Sequence, residues 1–234
     1  MKVLAIDTSA KVASVSIVTE TQILAEFNID TKLTHSQTLM PMLNAALTCA
    51  NISISDIDAF AVANGPGSFT GLRIGIGAIK GLSYALNKPC TPVSTLKGLA
   101  YNLIGYEGIA CAVMDARCNQ VYTALFEVNQ TSITRLTEDT AITIDELGKN
   151  LEKFKKNIFF VGDGADLCYN KLKSVLSNVY LTDASKKYQR AASVGFAAIE
   201  DILSNNVCSA ANLTPTYLRL PQAQRELLAK KTRR

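Results

Sequence analysis

Apolar and polar positions alternate at the start of the chain and then take up a helical period. The short apolar run in KVLAID (2–7) predicts a buried strand, the alternation in VASVSIV (12–18) predicts a second strand, and ILAEFNI (23–29) is predicted as a third. In HSQTLMPMLNAALTCAN (35–51) apolar residues recur every three or four positions, which is typical of an amphipathic helix with Pro41 in its first turn or at a bend. The pattern therefore predicts a three-stranded meander followed by a helix.

A glycine-rich segment joins the next strand to a second helix. The strand is predicted at DIDAFAVAN (56–64), and NGPGSFTGLRIGIG (64–77) follows it. The helix should extend from about Thr70 to Leu86, because Pro89 cannot continue it. A short strand at CTPVS comes next, so this half of the chain ends as an α/β unit.

The second half of the chain repeats this plan. The strand-terminal acids Asp7 and Asp115 lie 108 residues apart, and glycine turns follow the later strands of both halves, in AFAVANGPG and IFFVGDG. We interpret the chain as two copies of a unit with three strands, a helix, a strand and a helix, with subdomains at 1–103 and 104–234. The predicted strands of the second copy are IACAVMDAR, QVYTALFEV, SITRLTEDTAIT and NIFFVGDGAD, its helices are IDELGKNLEKF, DLCYNKLKSVL and SVGFAAIEDILSN, and LTPTYLR is extended.

Two copies of a mixed sheet flanked by helices indicate an α/β protein similar to the actin-like ATPases, whose subdomains are ribonuclease H-like. In that superfamily a nucleotide binds between the halves. This similarity suggests a set of candidate nucleotide or phosphate contacts near the strand ends. Asp7 has an alternative role, because a strand-terminal Asp also caps a turn with its own side chain. The candidate contacts are Asp7, Ser9, Gly65, Gly67, Ser68 and Asp115.

The glycine-rich segment does not match the known phosphate-binding loops. It lacks the Gly-Lys-Ser/Thr end of a P-loop, and it has one residue too many for the dinucleotide pattern. The acid that would bind a ribose is also missing, because no Asp or Glu occurs from Leu72 to Tyr106. At most a weak contact with ATP or ADP is expected here.

The second helix carries small residues at regular spacing. Gly77, Gly81 and Ala85 recur every four residues, and Gly71 with Gly75 forms a second pair. Each interior glycine destabilises a helix by about 1 kcal/mol relative to alanine, so a close neighbour is expected. That neighbour is either the protein's own sheet or another chain.

Composition and charge describe a globular protein with a neutral body. Apolar residues make up 48% of the 234 residues and charged residues 19%. The net charge of +4 comes from the segment 225–234, where five basic residues outnumber one acid, while the remaining residues carry 19 charges of each sign. The basic residues Lys230, Lys231, Arg233 and Arg234 contribute at most auxiliary charge toward RNA.

Cysteine and histidine usage excludes several kinds of site. The six cysteines include no C-x-x-C pair and His35 is the only histidine, so we expect free thiols and no zinc site. His35 is expected to cap or pack the first helix. The N-terminus lacks signal-peptide features and no apolar run reaches membrane-spanning length, which favours a cytoplasmic protein.

Several motifs resemble the TsaB family, also called YeaZ. They are MKVLAIDTS, HSQTLMP, GPGSFTGLRIGIGAIKGL, MDARCNQVY and PTYLR, in this order. TsaB proteins are bacterial proteins needed to make threonylcarbamoyladenosine in tRNA. The resemblance implies a relative of TsaD, the subunit that modifies adenosine 37 of ANN-decoding tRNAs. It further implies that the protein forms a homodimer when it is alone and pairs with TsaD when TsaD is present. TsaE, an ATPase, would join that pair, and this chain would contact tRNA only indirectly.

The resemblance also implies that this chain does not catalyse the transfer. TsaD-like enzymes hold a metal through a His-x-x-x-His pair, and Thr95 and Leu99 stand at those positions here. The segment Asp7-Thr8-Ser9 is followed by Ala10, Lys11 and Val12 rather than by further acids. We therefore expect a non-catalytic partner subunit without metal ligands. The alternative is an actin-like nucleotide-binding enzyme or sensor with ATP or ADP in its cleft.

The expected docking surface for TsaD or a second copy lies on the two helices of the first half. Their apolar and small residues would be a liability if they were left bare. The predicted surface consists of Leu39, Met40, Leu43, Leu47, Arg73, Ile74, Gly77, Lys80, Gly81 and Tyr84.

Overall fold

The first half of the protein forms a five-stranded mixed sheet. The structure, a computed structural model, describes residues 1–219. The strands have the order β3-β2-β1-β4-β5, in which β1 to β3 form an antiparallel meander and β4 and β5 run parallel to β1. The elements are β1 (Val3–Asp7), β2 (Ala13–Val18), β3 (Ile23–Ile29), α1 (His35–Ala50), β4 (Ala59–Gly65), α2 (Phe69–Leu86), β5 (Cys90–Ser94) and α3 (Thr95–Tyr101).

The second half repeats the same sheet topology. Its order is β11-β10-β6-β7-β8, and β9 also pairs with β7. Strands β6 and β7 are antiparallel, whereas β10 and β11 run parallel to β6, so β6, β7, β10 and β11 correspond to β1, β2, β4 and β5. Strands β8 and β9 both pair with β7 and together take the place of β3. The elements are β6 (Gly108–Asp115), β7 (Gln120–Val128), β8 (Ile133–Arg135), β9 (Thr140–Thr143), α4 (Ile144–Leu151), β10 (Ile158–Val161), α5 (Ala165–Leu172), β11 (Val179–Leu181), α6 (Ala184–Lys187) and α7 (Ala191–Leu203).

The duplicated α/β plan predicted from the sequence is confirmed, with local differences. SITRLTEDTAIT is two short strands rather than one. Both Leu136 and Thr137 donate their backbone N–H to the Leu125 carbonyl oxygen, at 2.8 and 3.3 Å, and this doubled contact interrupts the ladder. Strand β11 and the short helices α3 and α6 lie in segments for which no element was predicted.

Helix α1 begins at His35, which places Pro41 beyond the first turn. The Gln37 side chain accepts a hydrogen bond from the Thr34 backbone N–H (3.0 Å), and this contact fixes the N-terminus. Pro41 therefore lies inside the helix, in its second turn. His35 packs as expected, because its Nε2 is hydrogen bonded to the Ala10 carbonyl oxygen (2.7 Å).

Each half of the protein packs one of its helices on the sheet of the other half. Helices α1 and α2 cover one face of the first sheet, and α7 packs on the other face. The second sheet has α4 and α5 on one face and α3 on the other. Since α3 and α7 also pack on each other, they join the two halves. The division at residue 103 separates the strands of the two sheets, but the helices are exchanged across it.

The glycines of α2 fall into two groups with different surroundings. A Cβ atom at Gly71 would lie 2.0 Å from the Thr8 carbonyl oxygen, and one at Gly75 would lie 2.5 Å from the Thr8 hydroxyl oxygen. A Cβ atom at Gly77 or Gly81 would meet no atom within 4 Å. The first pair therefore allows α2 to approach the protein's own sheet, whereas the second pair faces open space.

Alanine substitutions should separate these two groups. Gly71→Ala should lower the free energy of unfolding by about 3 kcal/mol or more, because the methyl group meets backbone that cannot move aside. Gly77→Ala should raise it by about 0.5–1 kcal/mol, because an exposed interior glycine is replaced without a clash. Urea unfolding followed by circular dichroism measures both values. Equal effects of the two substitutions would contradict this assignment.

Candidate functional site

Asp7 accepts hydrogen bonds within the turn between β1 and β2. The side chain is buried, and its Oδ1 accepts hydrogen bonds from the Ser9 backbone N–H (2.9 Å) and from the Ser9 hydroxyl (2.6 Å). Burial raises the pKa of Asp7 to about 6, although the bonds from Ser9 act in the opposite direction. These hydrogen bonds are those of the turn-capping role open to Asp7 from the sequence.

The glycine-rich loop packs against this turn. The Ser68 backbone N–H donates to the Ser9 carbonyl oxygen (2.6 Å), and the Ser68 hydroxyl accepts from the Gly71 N–H (3.3 Å). A Cβ atom at Gly67 would lie 2.4 Å from the Ser9 carbonyl oxygen, and one at Gly65 would lie 2.2 Å from the Thr216 carbonyl oxygen. Both glycines are therefore needed for close contact between backbone segments.

A cleft of about 620 Å³ lies between the two halves. Among the predicted nucleotide contacts, Ser9, Gly67, Ser68 and Asp115 line it, whereas Asp7 and Gly65 do not. The volume lies within the range of small-molecule sites. Charged side chains on its walls are Lys11, Asp115, Arg117, Asp163 and Arg219.

Asp163 is a cleft residue that sequence reasoning did not select. It follows β10 in Gly162-Asp163-Gly164, which occupies the place of the glycine-rich loop in the second copy. Burial, together with the smaller effect of the nearby Asp115 carboxylate, raises the pKa of Asp163 to about 6. The duplication could have identified Asp163, because the loop after β4 and the equivalent turn after β10 both line the cleft.

The PTYLR segment forms a strap at the mouth of the cleft. The rings of Tyr217 and Phe69 stack with centroids 4.4 Å apart, and the Arg73 Nε donates to the Tyr217 hydroxyl oxygen (3.0 Å). Thr216 donates its backbone N–H to the Asn64 carbonyl oxygen (2.7 Å). The strap therefore ties the C-terminal segment to the N-terminal end of α2.

The positions expected to lack metal ligands are buried in the fold. Thr95 is 0% exposed and Leu99 is 1% exposed, and Leu99 packs in the core between α3 and the second sheet. Within residues 1–219, no three His, Cys, Asp or Glu side chains are grouped so that they could hold a metal ion.

Two members of the predicted docking surface are misplaced. Leu39 and Leu43 are each 2% exposed and pack in the core beneath α1, so the prediction that they face a partner is wrong. The helical period of the sequence groups these residues on one side of α1, but it does not show whether that side faces the sheet or the solvent. Met40 is 43% exposed, and Leu47 is half-buried at the edge of the core.

Helix α2 carries the more open part of the surface. Tyr84 is 83% exposed, and with Gly77, Gly81 and Arg73 it forms one face at intervals of three or four residues. Ile74 and Lys80 are half-buried beside this face. We call Arg73, Gly77, Gly81 and Tyr84 the α2 outer face.

No helix in the described part of the chain is long and apolar enough to cross a membrane. The basic residues Lys230, Lys231, Arg233 and Arg234 lie outside the described residues.

The fold and its cleft define the class, which is that of proteins with the actin-like ATPase fold. The family model described as "TsaD: tRNA N6-adenosine threonylcarbamoyltransferase" matches residues 22–227. The tRNA threonylcarbamoyladenosine biosynthesis protein TsaB of Bacillus subtilis is 29% identical over 96% of both chains. TsaB of Buchnera aphidicola (subsp. Schizaphis graminum) is 33% identical, with 69% of this chain and 78% of the relative covered. The chain belongs to the TsaB family.

A solved structure supports this assignment. YeaZ from Pseudomonas aeruginosa is 26% identical and superposes with a TM-score of 0.80, covering 93% of this chain and 99% of the YeaZ chain. The family expected from the sequence motifs is therefore confirmed.

Asp7→Asn should change how stability depends on pH. The folded-state pKa of Asp7 is raised to about 6, so the native state is most favoured while Asp7 is protonated and loses stability as pH rises through 6. At pH 8 the variant should unfold with a free energy up to about 3 kcal/mol higher than the wild type, and at pH 4 the two should be nearly equal.

Urea unfolding at pH 4, 6 and 8 tests this expectation, with Asp30→Asn as the control. Asp30 is an exposed acid paired with Lys11, so its neutralisation should alter stability by less than about 1 kcal/mol at any of these values. A variant of Asp7 that is less stable than the wild type at pH 8 would show that the negative charge is needed there.

Proposed function

We propose that this chain is a non-catalytic partner subunit that binds and activates TsaD. Its place in the TsaB family gives it a role in the biosynthesis of threonylcarbamoyladenosine in tRNA. In this proposal TsaD modifies adenosine 37 of ANN-decoding tRNAs and holds the tRNA, and TsaE joins the pair. A role in tRNA modification supports a cytoplasmic location, which is part of this proposal. The observation that carries the proposal is the exposed α2 outer face.

The α2 outer face has glycines that the protein's own packing does not require. Gly71 and Gly75 are explained by contact with Thr8, but Gly77 and Gly81 have open space where a side chain would be. Each still destabilises the helix by about 1 kcal/mol relative to alanine. Close approach of a second helix explains why such positions would carry no side chain.

The chemistry of the surrounding surface suits a protein partner. Tyr84 and Met40 are exposed, and aromatic and methionine side chains are enriched at protein interfaces. The α2 outer face itself has a single charged residue, Arg73, and its guanidinium is already placed 3.9 Å over the Phe69 ring. Association therefore requires little desolvation of free charge.

TsaD is the proposed occupant because this chain matches the TsaD family model over most of its length. Two related subunits can pair through equivalent helices in a pseudo-symmetric contact. When TsaD is absent, the same face would hold a second copy of this chain. The two dimers would then exclude each other.

A non-catalytic role is supported by the use of the would-be catalytic positions in packing. Thr95 and Leu99 are buried, and neither supplies an imidazole. Asp7 is engaged by Ser9, and Gly67 and Gly71 contact the turn between β1 and β2. Asp7, Gly67 and Gly71 therefore contribute to packing in the first half, and Leu99 contributes to the core between α3 and the second sheet.

A second candidate function is a nucleotide-binding enzyme or sensor. The cleft of about 620 Å³, with Ser9, Gly67, Ser68 and Asp115 on its walls, favours this alternative. Calorimetric titration with ATP and Mg²⁺ discriminates between the two. Tight binding with turnover in the isolated chain would favour the enzyme, whereas the partner-subunit proposal expects at most weak binding without turnover.

Gly81→Leu should weaken pairing with TsaD. A Cβ atom at Gly81 meets no atom within 4 Å, so the fold should accept a leucine there, whereas a helix could no longer approach this face. The dissociation constant should rise at least about tenfold by calorimetry. The homodimer should also dissociate on a sizing column.

Ser174→Leu is the matched control, because it adds the same side chain at an exposed position in the second half. It should leave both associations unchanged. Reconstituted tRNA modification should fall with Gly81→Leu and not with Ser174→Leu. Pairing with TsaD that survives Gly81→Leu, or one particle that holds both contacts through this face, would refute the proposal.

A further inference from the structure

Cys90 and Cys208 meet across a short antiparallel contact. Cys90 begins β5, the edge strand of the first sheet, and Cys208 lies in the segment after α7. The backbone N–H of Cys90 donates to the Cys208 carbonyl oxygen (3.0 Å), and the N–H of Cys208 donates to the Cys90 carbonyl oxygen (2.8 Å). This pair was not evident from the sequence, because the two residues are 118 positions apart.

The geometry of this contact suits a disulfide bond. The two sulfur atoms are 3.6 Å apart, and both cysteines are free thiols. Residues that exchange both backbone hydrogen bonds in an antiparallel pair have Cα atoms about 5.5 Å apart. Disulfides span Cα separations of about 4.4–6.8 Å. The sulfur atoms can therefore come into bonding contact by side-chain rotation with little backbone movement.

We propose that Cys90 and Cys208 are a reversible oxidation site that forms an intrachain disulfide with hydrogen peroxide as the oxidant. The thiolate of Cys208 attacks one peroxide oxygen, which gives a sulfenic acid on Cys208 and releases water after proton uptake. The Cys90 sulfur then attacks the Cys208 sulfur, and the hydroxyl group leaves as a second water. The two thiols lose two electrons and two protons, and the peroxide is reduced to two waters.

The order of the two steps follows from exposure. Cys90 is 0% exposed, whereas Cys208 is partly exposed and can meet the oxidant first. Burial, followed by the hydrogen bond with Cys90, raises the pKa of the Cys208 thiol to about 12. The reactive thiolate is therefore scarce near neutral pH, so the disulfide forms slowly and responds to sustained oxidant.

The disulfide would fasten the C-terminal segment to the first half of the protein. This segment already contacts α2, because Lys80 donates to the Ala211 carbonyl oxygen (3.4 Å), and it inserts Leu213 into the core. Farther along, Tyr217 stacks on Phe69. A covalent link from Cys208 to β5 would anchor the segment that leads from Cys208 to the strap. This inference does not depend on the proposed function.

The test uses the full chain with Cys49→Ser and Cys118→Ser, which removes the exposed thiols that would link separate molecules. The reduced protein is treated with hydrogen peroxide and digested without reductant. Mass spectrometry should find the Cys90 and Cys208 peptides joined with a loss of about 2 Da, and dithiothreitol should separate them. The unfolding temperature should rise by roughly 5–15 °C, because the link closes a long loop of the unfolded chain.

Cys208→Ser in the same background is the control, and it should show neither the linked peptides nor the rise in unfolding temperature. The proposal is overturned if Cys90 and Cys208 both stay as thiols, if Cys208 accumulates as sulfinic acid beside a free Cys90, or if Cys111 and Cys168 are joined instead. It is also overturned if the linked protein does not return to the thiol form on reduction.

Discussion

The close contact between α2 and the turn that follows β1 is the constraint on which the first half depends. Gly71 and Gly75 allow the helix to contact Thr8, whose hydroxyl donates to the Gly71 carbonyl oxygen (2.7 Å). The Ser68 backbone N–H donates a hydrogen bond to the Ser9 carbonyl oxygen. No side chain fits between these backbone segments. The contact therefore fixes which side of α2 faces the sheet and leaves the opposite side exposed.

The same contact sets the surroundings of the glycine-rich loop. Gly67 lies against the Ser9 carbonyl oxygen, and the buried carboxylate of Asp7 accepts the hydrogen bonds of Ser9. Gly67 and Ser68 contact the protein's own backbone and also line the cleft. Tyr217 of the strap lines the cleft as well. The α2 outer face lies outside these contacts, and docking on it is the function we propose.

The C-terminal part of the chain completes the first half as well as the second. Helix α7 lies on the first sheet, where a Cβ atom at Gly195 would be 2.6 Å from the Val18 side chain. The segment after α7 then returns along β5 through Cys208 and inserts Leu213 into the first core. Each half therefore packs against elements of the other. Cys208 belongs to the second half of the chain but contacts β5 of the first sheet, so a chemical change at Cys208 would affect the first half.

The sequence by itself determined most of the strands, the duplication and the family, because apolar patterns, strand-terminal acids and the GPGSFTG motif are local. It missed β11 and joined β8 and β9 into one strand. It also identified every glycine of α2. It left open which of them face the sheet, and it placed Leu39 and Leu43 on the wrong side, since a helical period gives the spacing of a face but not its direction. The duplication pointed to the turn that holds Asp163, and the structure showed that this turn lines the cleft. The strap and the Cys90–Cys208 contact were decided only by the tertiary structure, because each joins residues far apart in the chain whose approach depends on how the sheets and helices pack.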